Sequence, residues 1–333
     1  MEHVAIDLGG SQSQVCIRTS DGQLLVEQRC RTRDLPAYLA KRPPSRVIVE
    51  TCAEAFGIAD SALTAGHQVR VVPATLVRAL GVGSRGVKTD RRDAQILSEV
   101  SCRIDLPSVH IPSKQSRERK TQCGLRDALV SSRTQLINTV RGWLRADGRR
   151  PKSGEAASFA KRVRALCGAA IPGFIDRQLQ TIEFVSTQIR AADRELERMA
   201  KQDSVCRRLM TVPGVGWLTA LRFVATIDQI ERFADGHRVA AYIGLVPGEN
   251  SSSERQRRTG ITKAGAPSLR WTLVQAAWSA RRARRKDAMQ RWAEEIERRR
   301  GKRIAAVALA RKLASILYAI WRDGSVYEHE RQS

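Results

Sequence analysis

The chain has 333 residues, of which 42% are hydrophobic, and this length suggests two or three domains with sizeable cores. Its formal net charge of +24 and isoelectric point near 10.8 exclude a neutral or acidic surface and predict a polyanionic partner, most simply DNA or RNA. The charge is uneven, because residues 1–110 hold 14 Lys/Arg and 12 Asp/Glu whereas the remainder holds 44 and 22. We therefore expect a balanced N-terminal body followed by a region that binds nucleic acid.

Cysteine usage and hydropathy narrow the class of protein further. The seven cysteines form no Cys-x-x-Cys pair and lie near no histidine at a zinc-ligand spacing, so we expect them to be reduced and mostly buried. No signal peptide and no apolar run long enough to span a bilayer are predicted. The chain is accordingly expected to be cytoplasmic and nucleoid-associated, without a membrane partner.

Short apolar strands alternate with helices over residues 1–110. Strands are predicted at 3–8, 14–19, 23–30, 46–50 and 68–73, and helices at 34–41, at 53–65 and from about 90 onward. Asp21-Gly22, between the second and third strands, is a strong hairpin signal. This order predicts an α/β layer with a mixed sheet.

Helical periodicity dominates the chain after a boundary at Pro107 and Pro112. Apolar residues recur at helical spacing over 125–144 and again over 175–199. The second stripe suits an antiparallel helical pair or a coiled-coil contact between subunits, and packing within one chain fits it equally well. A mostly helical unit begins near residue 205, and its basic segment 281–303, with 11 Lys/Arg and 4 Asp/Glu, suits contacts to a nucleic-acid backbone.

Four acidic residues form the clearest candidate site. Asp7 and Glu50 each end an apolar strand, where α/β sheets place their sites, and Asp90 and Asp93 share one face of a predicted helix. Carboxylates this close repel one another unless cations neutralise them, and a pair of Mg²⁺ ions does so while stabilising a phosphodiester exchange. For Asp90 and Asp93, an N-cap and an exposed acid of the first helical turn fit the spacing equally well.

A glycine-rich turn at residues 212–216 precedes the apolar run 217–227. Backbone N–H groups around Gly214 and Gly216 would point at phosphate oxygens, as in the helix–hairpin–helix element of sequence-independent DNA-binding proteins. The alternative is a helical corner in which these glycines only allow close packing.

A polar segment at residues 250–263 carries three consecutive serines and four cations, Arg255, Arg257, Arg258 and Lys263. These cations would offset the charge of a phosphate that meets a serine hydroxyl. A serine nucleophile needs a base or a metal, however, and no histidine lies nearby. Composition alone favours a surface loop that contacts phosphates.

Two sets of motifs follow one another along the chain. The first comprises Glu50-Thr51, 66–73 (GHQVRVVP) and 88–94 (KTDRRDA), and the second comprises 213–216 (PGVG), 241–247 (AYIGLVP) and 260–265 (GITKAG). In this order they resemble the DEDD-type insertion-sequence transposases of the IS110 kind, and the resemblance covers nearly the whole chain.

The resemblance implies an α/β plus α fold in three parts. Residues 1–110 would form an RNase H-like (RuvC-like) catalytic domain, and 111–203 a long helical, coiled-coil region. Residues 204–325 would form a mostly helical transposase domain with a helix–hairpin–helix-like element and a nucleophilic serine. The four acids, Asp7, Glu50, Asp90 and Asp93, would bind two Mg²⁺ ions, for which Mn²⁺ can substitute.

The identity of the serine follows from the family's pattern, in which a Ser-Gly step lies between the last two motifs. Alignment from both sides places this serine at Ser252. The chain has Ser253 in place of the glycine, so Ser251 and Ser253 remain alternatives. It also has Cys52 where the family often has glycine.

The implied activity is the cutting and rejoining of DNA strands for insertion-sequence mobility. It would proceed through a covalent phosphoserine–DNA intermediate and be guided by a bridge RNA that the element encodes. Donor and target DNA, this guide RNA, and further copies of the chain in a dimer or tetramer are the implied partners. Two other functions stay open, namely a metal-dependent, structure-specific (Holliday-junction-like) endonuclease that uses only the acids, and a catalytically inactive nucleic-acid-binding relative.

Overall fold

A computed structural model describes residues 1–79, 90–249, 258–283 and 287–328. The chain divides into two compact units, Met1–Pro112 and Ser113–Ser333. The first contains a central sheet with helices and the second is mostly helical, so the predicted combination of an α/β part with a helical part is confirmed. The further division near residue 203 stays a prediction.

The first unit is built on a five-stranded sheet. Its strands are β1 (His3–Asp7), β2 (Gln12–Arg18), β3 (Leu24–Arg31), β4 (Arg46–Glu50) and β5 (Gln68–Val72). Their order across the sheet is β3-β2-β1-β4-β5. β1, β2 and β3 are antiparallel neighbours, whereas β4 and β5 run parallel to β1, so the sheet is mixed as predicted. The hairpin predicted at Asp21-Gly22 joins β2 to β3, and Gly22 there has φ +93°.

Helices cover both faces of this sheet. They are α1 (Leu35–Ala40), α2 (Ala55–Thr64), α3 (Ala74–Ala79) and α4 (Asp90–Arg103). Alternate residues of β1 belong to different cores, because successive side chains of a strand point to opposite faces. Val4 and Ile6 pack with residues of α1 and α2, whereas Ala5 packs in the core that contains Leu97 of α4.

The second unit contains nine helices and one hairpin among the described residues. The helices are α5 (Lys114–Ala146), α6 (Phe159–Cys167), α7 (Gly173–Gln202), α8 (Ser204–Leu209), α9 (Trp217–Ile227), α10 (Gly236–Ile243), α11 (Pro267–Arg281), α12 (Ala288–Arg300) and α13 (Lys302–Asp323). The hairpin pairs β6 (Pro247–Glu249) with β7 (Arg258–Ile261) in antiparallel register.

The long stripe predicted over residues 175–199 packs within the chain, along α5. The two helices are antiparallel, since Arg119 pairs with Asp203 at 2.7 Å and Arg126 pairs with Asp193 at 2.8 Å. This arrangement matches the antiparallel helical pair that the spacing allowed. Contact between subunits along the same helices stays a prediction.

Helix α13 is central to the core of the second unit, where Leu309, Leu313 and Leu317 are fully buried. The prediction that no apolar run is long enough to span a bilayer is wrong on length and composition, because α13 meets both criteria. In the sequence, Arg311 and Lys312 interrupt this run and conceal it. Half of the apolar stretch is buried inside the unit, which is the pattern of a core helix.

Candidate active site

Asp7 and Glu50 lie side by side at the same edge of the sheet. β1 and β4 are parallel neighbours with Ile6 opposite Val49, so the next residue of each strand is one of these acids. Adjacent strands are about 4.8 Å apart. Both side chains are half-buried. The carboxyl ends of parallel strands therefore bring together two acids that are 43 residues apart in the chain.

Both acids face the side of the sheet that α4 covers. Ala5 and Ile48 belong to the core that contains Leu97 of α4, and Asp7 and Glu50 follow them by two residues. Because side chains two apart in a strand share a face, these carboxyl groups lie on the α4 face. This placement follows from packing, and no local pattern in either strand reveals it.

Helix α4 carries the other two acids. It begins at Asp90, whose side chain lies outside the described part of the structure, and it packs on β1, β2 and β4. Asp93, one turn into the helix, is only 2% exposed. The alternative expectation of an exposed acid at the helix start is therefore wrong for Asp93, because α4 turns this side chain toward the sheet.

Hydrogen bonds near both ends of α4 hold the helix in this position. Glu27 of β3 accepts hydrogen bonds from the Arg91 guanidinium at 2.7 Å and from the Gln95 amide at 2.8 Å. At the other end of the helix, the Nδ1 atom of His3 lies 2.8 Å from the Ser101 hydroxyl. The hydrogen bond from Arg91 holds the pKa of Glu27 below its ordinary value, with Gln95 adding to the effect.

Sequence reasoning missed Glu27 because an acid on an edge strand resembles any solvent-facing residue. The signal that identifies it is on α4, where Arg91 and Gln95 stand four residues apart and so project from one face of the helix. Both side chains reach the same carboxylate.

The donor chemistry of these acids fits a hard divalent cation, since carboxylate oxygens are the ligands that Mg²⁺ and Mn²⁺ prefer. The four acids are carried by β1, β4 and α4, and α4 packs against both strands. Among the described side chains, however, no group of three or more His, Cys, Asp or Glu residues could hold a metal ion. The ligand set of Asp7, Glu50, Asp90 and Asp93 thus stays a prediction.

The two glycines of the predicted phosphate-binding turn have different surroundings. Gly214 has φ +83°, and a Cβ there would lie 2.3 Å from the Ala276 carbonyl oxygen and 2.6 Å from the Ala280 amide nitrogen of α11. Gly216 is exposed at the N-cap of α9, where a Cβ would meet nothing within 4 Å. Close packing therefore requires a glycine at 214 but not at 216, and phosphate binding by this turn stays a prediction.

The predicted serine segment connects β6 to β7. Ser251, Ser252 and Ser253, together with Arg255 and Arg257, lie outside the described residues. Arg258 begins β7, and its side chain also lies outside them.

The base of this hairpin is anchored to its own unit. The Lys263 amide donates to the Gly244 carbonyl at 3.1 Å, and the exposed Lys263 has φ +57°. Arg270 of α11 donates from Nη1 to the carbonyls of Ile243 and Ala264, each at 2.9 Å. Arg270 was not predicted, because nothing near it in the sequence marks a tertiary backbone contact.

Two family models match the chain. One, described as "Transposase IS116/IS110/IS902 family", matches residues 206–293, and a second transposase model, of the IS110 DEDD type, matches residues 4–146. The second match includes all four candidate acids, and the first includes the glycine turn and the serine segment.

Three curated relatives are similar over at least 90% of their length. A probable family 20 transposase from Pseudomonas aeruginosa is 31% identical, with 90% of each chain covered. The transposase for insertion sequence element IS1111A of Coxiella burnetii is 28% identical over 97% of this chain and 90% of its own length. The transposase for IS1328 of Yersinia enterocolitica is 28% identical, with coverage of 97% and 98%. This chain therefore belongs to the IS116/IS110/IS902 family of transposases, enzymes of DNA transposition.

Proposed function

We propose that the chain cuts and rejoins DNA strands with a carboxylate site in its first unit and a serine nucleophile in its second. The observation that supports this most directly is the pairing of Asp7 and Glu50 at adjacent strand ends, on the sheet face that α4 covers with Asp93. The strand order, three antiparallel strands followed by two parallel ones, supports an RNase H-like (RuvC-like) fold for this unit.

Asp7, Glu50, Asp90 and Asp93 would hold two divalent ions, Mg²⁺ or Mn²⁺. When bound, such ions stabilise negative charge on a phosphate and lower the pKa of a hydroxyl. The protein's part is to orient the carboxylates, which the β1–β4 register and the burial of Asp93 do. The contact between Glu27 and Arg91 keeps the first turn of α4 against the sheet.

Ser252 is the proposed nucleophile. Its Oγ atom loses a proton and forms a bond to phosphorus, while the bond from phosphorus to the 3′ oxygen breaks and that oxygen takes up a proton. The products are a phosphoserine–DNA ester and a free 3′-hydroxyl. Attack of a 3′-hydroxyl on this ester then releases the serine and rejoins DNA in a new pairing. The cations at Arg255, Arg257, Arg258 and Lys263 would offset the phosphate charge.

Guidance by a bridge RNA, assembly as a dimer or tetramer, and action on cytoplasmic, nucleoid-associated DNA complete the proposal. The charge asymmetry supports it, since 44 of the 58 Lys/Arg residues lie beyond residue 110. Phosphate contacts by such residues supply affinity without reading sequence. Target choice would then rest on base pairing with the RNA. Sequencing the RNA that copurifies with the chain tests this part, and recovery of only bulk cellular RNA would contradict it.

The decisive experiment incubates the chain, its copurified RNA and labelled DNA carrying the element's ends with Mg²⁺. A denaturing gel then separates free DNA from protein–DNA adduct. We expect Asp7→Asn to lose cleavage and adduct together, as Ser252→Ala should. Asp21→Asn, an exposed hairpin acid, and Ser251→Ala serve as matched controls and should keep both.

Each rival function has its own outcome in this assay. Cleavage that survives in Ser252→Ala without an adduct would favour the endonuclease. Cleavage that is absent under all conditions, with DNA binding intact, would favour the inactive relative. If the adduct persists in Ser252→Ala but disappears in Ser251→Ala or Ser253→Ala, the serine replaced in that variant is the nucleophile.

A further inference from the structure

A groove of about 750 Å³ lies in the second unit, between the β6–β7 hairpin and the helices α12 and α13. The hairpin contributes Pro247, Thr259 and Ile261 to the lining of this groove. Helix α12 contributes Trp292 and helix α13 contributes Val307. A volume of this size is typical of sites for small molecules or single residues of a polymer, about 300–1,000 Å³.

The charges that line this groove have one sign. Arg300, Arg303, Arg311 and Lys312 line it, and no acidic side chain does so among the described residues. The Lys312 ammonium lies 4.4 Å from the centre of the Trp292 ring, so a cation–π contact holds it at the wall. Four cations around one concave surface attract a polyanion or several anionic groups.

Apolar side chains also line the groove, and together we call them the apolar floor. They are Leu245, Ile261, Val307 and Ile304, of which Ile304 remains 45% exposed. Cations beside an apolar floor match a nucleotide chain whose base is unstacked, because the base contacts the apolar surface while the phosphates contact the cations. A base-paired duplex hides its base faces and gains nothing from such a floor.

We propose that this groove binds a single-stranded DNA segment and holds one unpaired nucleotide beside the DNA that Ser252 attacks. The inference rests on the proposed function. DNA is the occupant because the chain is a transposase and because the groove wall is the hairpin that carries the serine segment, with β6 ending at Glu249 and β7 beginning at Arg258. The groove thereby keeps the attached strand end in place between cleavage and rejoining.

Binding of a fluorescent oligothymidylate of about twelve nucleotides tests the groove. Titrations of the full chain between about 50 and 200 mM salt give the affinity and its salt slope. The groove variant is Arg303→Gln with Arg311→Gln, and the matched control is Arg190→Gln with Arg194→Gln, two exposed arginines of α7 outside the groove. We expect the groove variant to flatten the slope by about 1.4, roughly 0.7 for each lost phosphate contact, and the control to leave it unchanged.

A second variant tests the apolar floor without changing charge. Ala308 lines the groove, so Ala308→Phe fills it. The expected result is affinity about tenfold weaker with an unchanged salt slope, because a base contact is lost and phosphate contacts remain. A thermal melt of each variant confirms that it is folded. A photocrosslink from 5-iododeoxyuridine in the oligonucleotide should map to Trp292 or to residues 303–312.

Several results would overturn the proposal. One is equal weakening by the groove pair and the control pair, which would mean that only overall charge matters. Another is a loss confined to oligouridylate of the same length, which would make the groove an RNA site. Wild-type affinity in Ala308→Phe would contradict it as well. Ser252→Ala should bind oligothymidylate normally while losing the DNA adduct, so failure of the groove and failure of the serine are separable.

Discussion

Glu27 and Arg91 form a two-point ion pair, in which Arg91 Nε and Nη2 each donate at 2.7 Å to a different carboxylate oxygen. The pair joins the edge strand β3 to the first turn of α4, between the two acids that α4 carries. Glu27 is 14% exposed and Arg91 is 68% exposed, so the pair lies at the surface. An ion pair at the surface adds little to the free energy of unfolding, but its two-point geometry fixes the orientation of α4 relative to β3.

Glu27→Gln should impair strand cleavage more than it impairs folding. Loss of a residue that orients a metal-binding side chain typically lowers metal affinity or activity by about 10–100-fold. We therefore expect a cleavage rate at least about tenfold lower and a higher Mg²⁺ concentration for half-maximal activity. The free energy of unfolding measured in urea should change little. Glu99→Gln is the control, since it removes only an exposed pair with Arg103 on the same helix. Equal activity in both variants would show that Glu27 does not position α4.

The same ion pair predicts a pH dependence of stability. Arg91 holds the pKa of Glu27 in the folded chain below its ordinary value of about 4.3. The pair therefore stabilises the fold fully above that value, and the contribution disappears as pH falls through the lower, folded pKa. Urea unfolding of wild type and Glu27→Gln from neutral to acid pH should show a small difference, as expected for a pair at the surface, and this difference should shrink only below about pH 4.3. A difference that grows on acidification would contradict the assignment.

Gly214→Ala should destabilise the second unit by about 2 kcal/mol or more. The left-handed backbone costs a side chain about 1–2 kcal/mol, and the new Cβ would also lie 2.3 Å from the Ala276 carbonyl. Gly216→Ala is the matched control, because its φ of −90° and open surroundings accept a methyl group. Its cost should be about 1 kcal/mol or less. Urea unfolding measures both, and equal costs would be inconsistent with the packing of Gly214 on α11.

Asp127→Ala should destabilise the second unit by about 2–3 kcal/mol. Arg222 is only 4% exposed within the apolar α9, and it donates to the Asp127 carboxylate and, at 2.7 Å, to the Thr272 hydroxyl. Removing Asp127 leaves this buried charge without its counterion, which costs about 3–5 kcal/mol when both partners are buried. Asp127 is 37% exposed, so water reduces that cost.

The control for this pair is Asp323→Ala, which removes an exposed partner of Arg322 in the same unit and should change stability little. Replacing both partners, Arg222→Met with Asp127→Leu, should recover most of the loss. Failure of the double variant to recover would mean that Arg222 contributes through Thr272 instead.

Thiol labelling should separate the cysteines into two classes. Burial raises the pKa of Cys206 to about 12, with the Asp203 carboxylate adding to the shift, so almost no thiolate exists near neutral pH. Cys30 and Cys52 are half-buried and should react first in the native chain. Mass spectrometry after alkylation should find Cys206 labelled only in denaturant. Native labelling of Cys206 at the rate of Cys30 would show that α8 opens readily.

The strands of the first unit could be predicted because each is a short apolar run, and the hairpin because Asp21-Gly22 marks it. Family motifs also drew attention to the acids. Neither the local patterns nor the motifs could predict that Glu27 pairs with Arg91, since a contact between residues 64 apart in the chain produces no periodic pattern in the sequence. The core role of α13 was also missed, because Arg311 and Lys312 interrupt its apolar run while lining a groove.

The sequence by itself determined the two classes of architecture, the basic character of the chain beyond residue 110, and the strand ends at which Asp7 and Glu50 stand. These properties depend on neighbours within a few residues, whose periodicity and turn chemistry are local. Only the tertiary structure decided that both acids face α4, that the stripe of α7 packs on α5, and that Gly214 is a packing contact. Each of these features depends on which surfaces, distant in the sequence, pack together. That packing is determined by the simultaneous burial of whole helix and sheet faces, which no short stretch of sequence specifies.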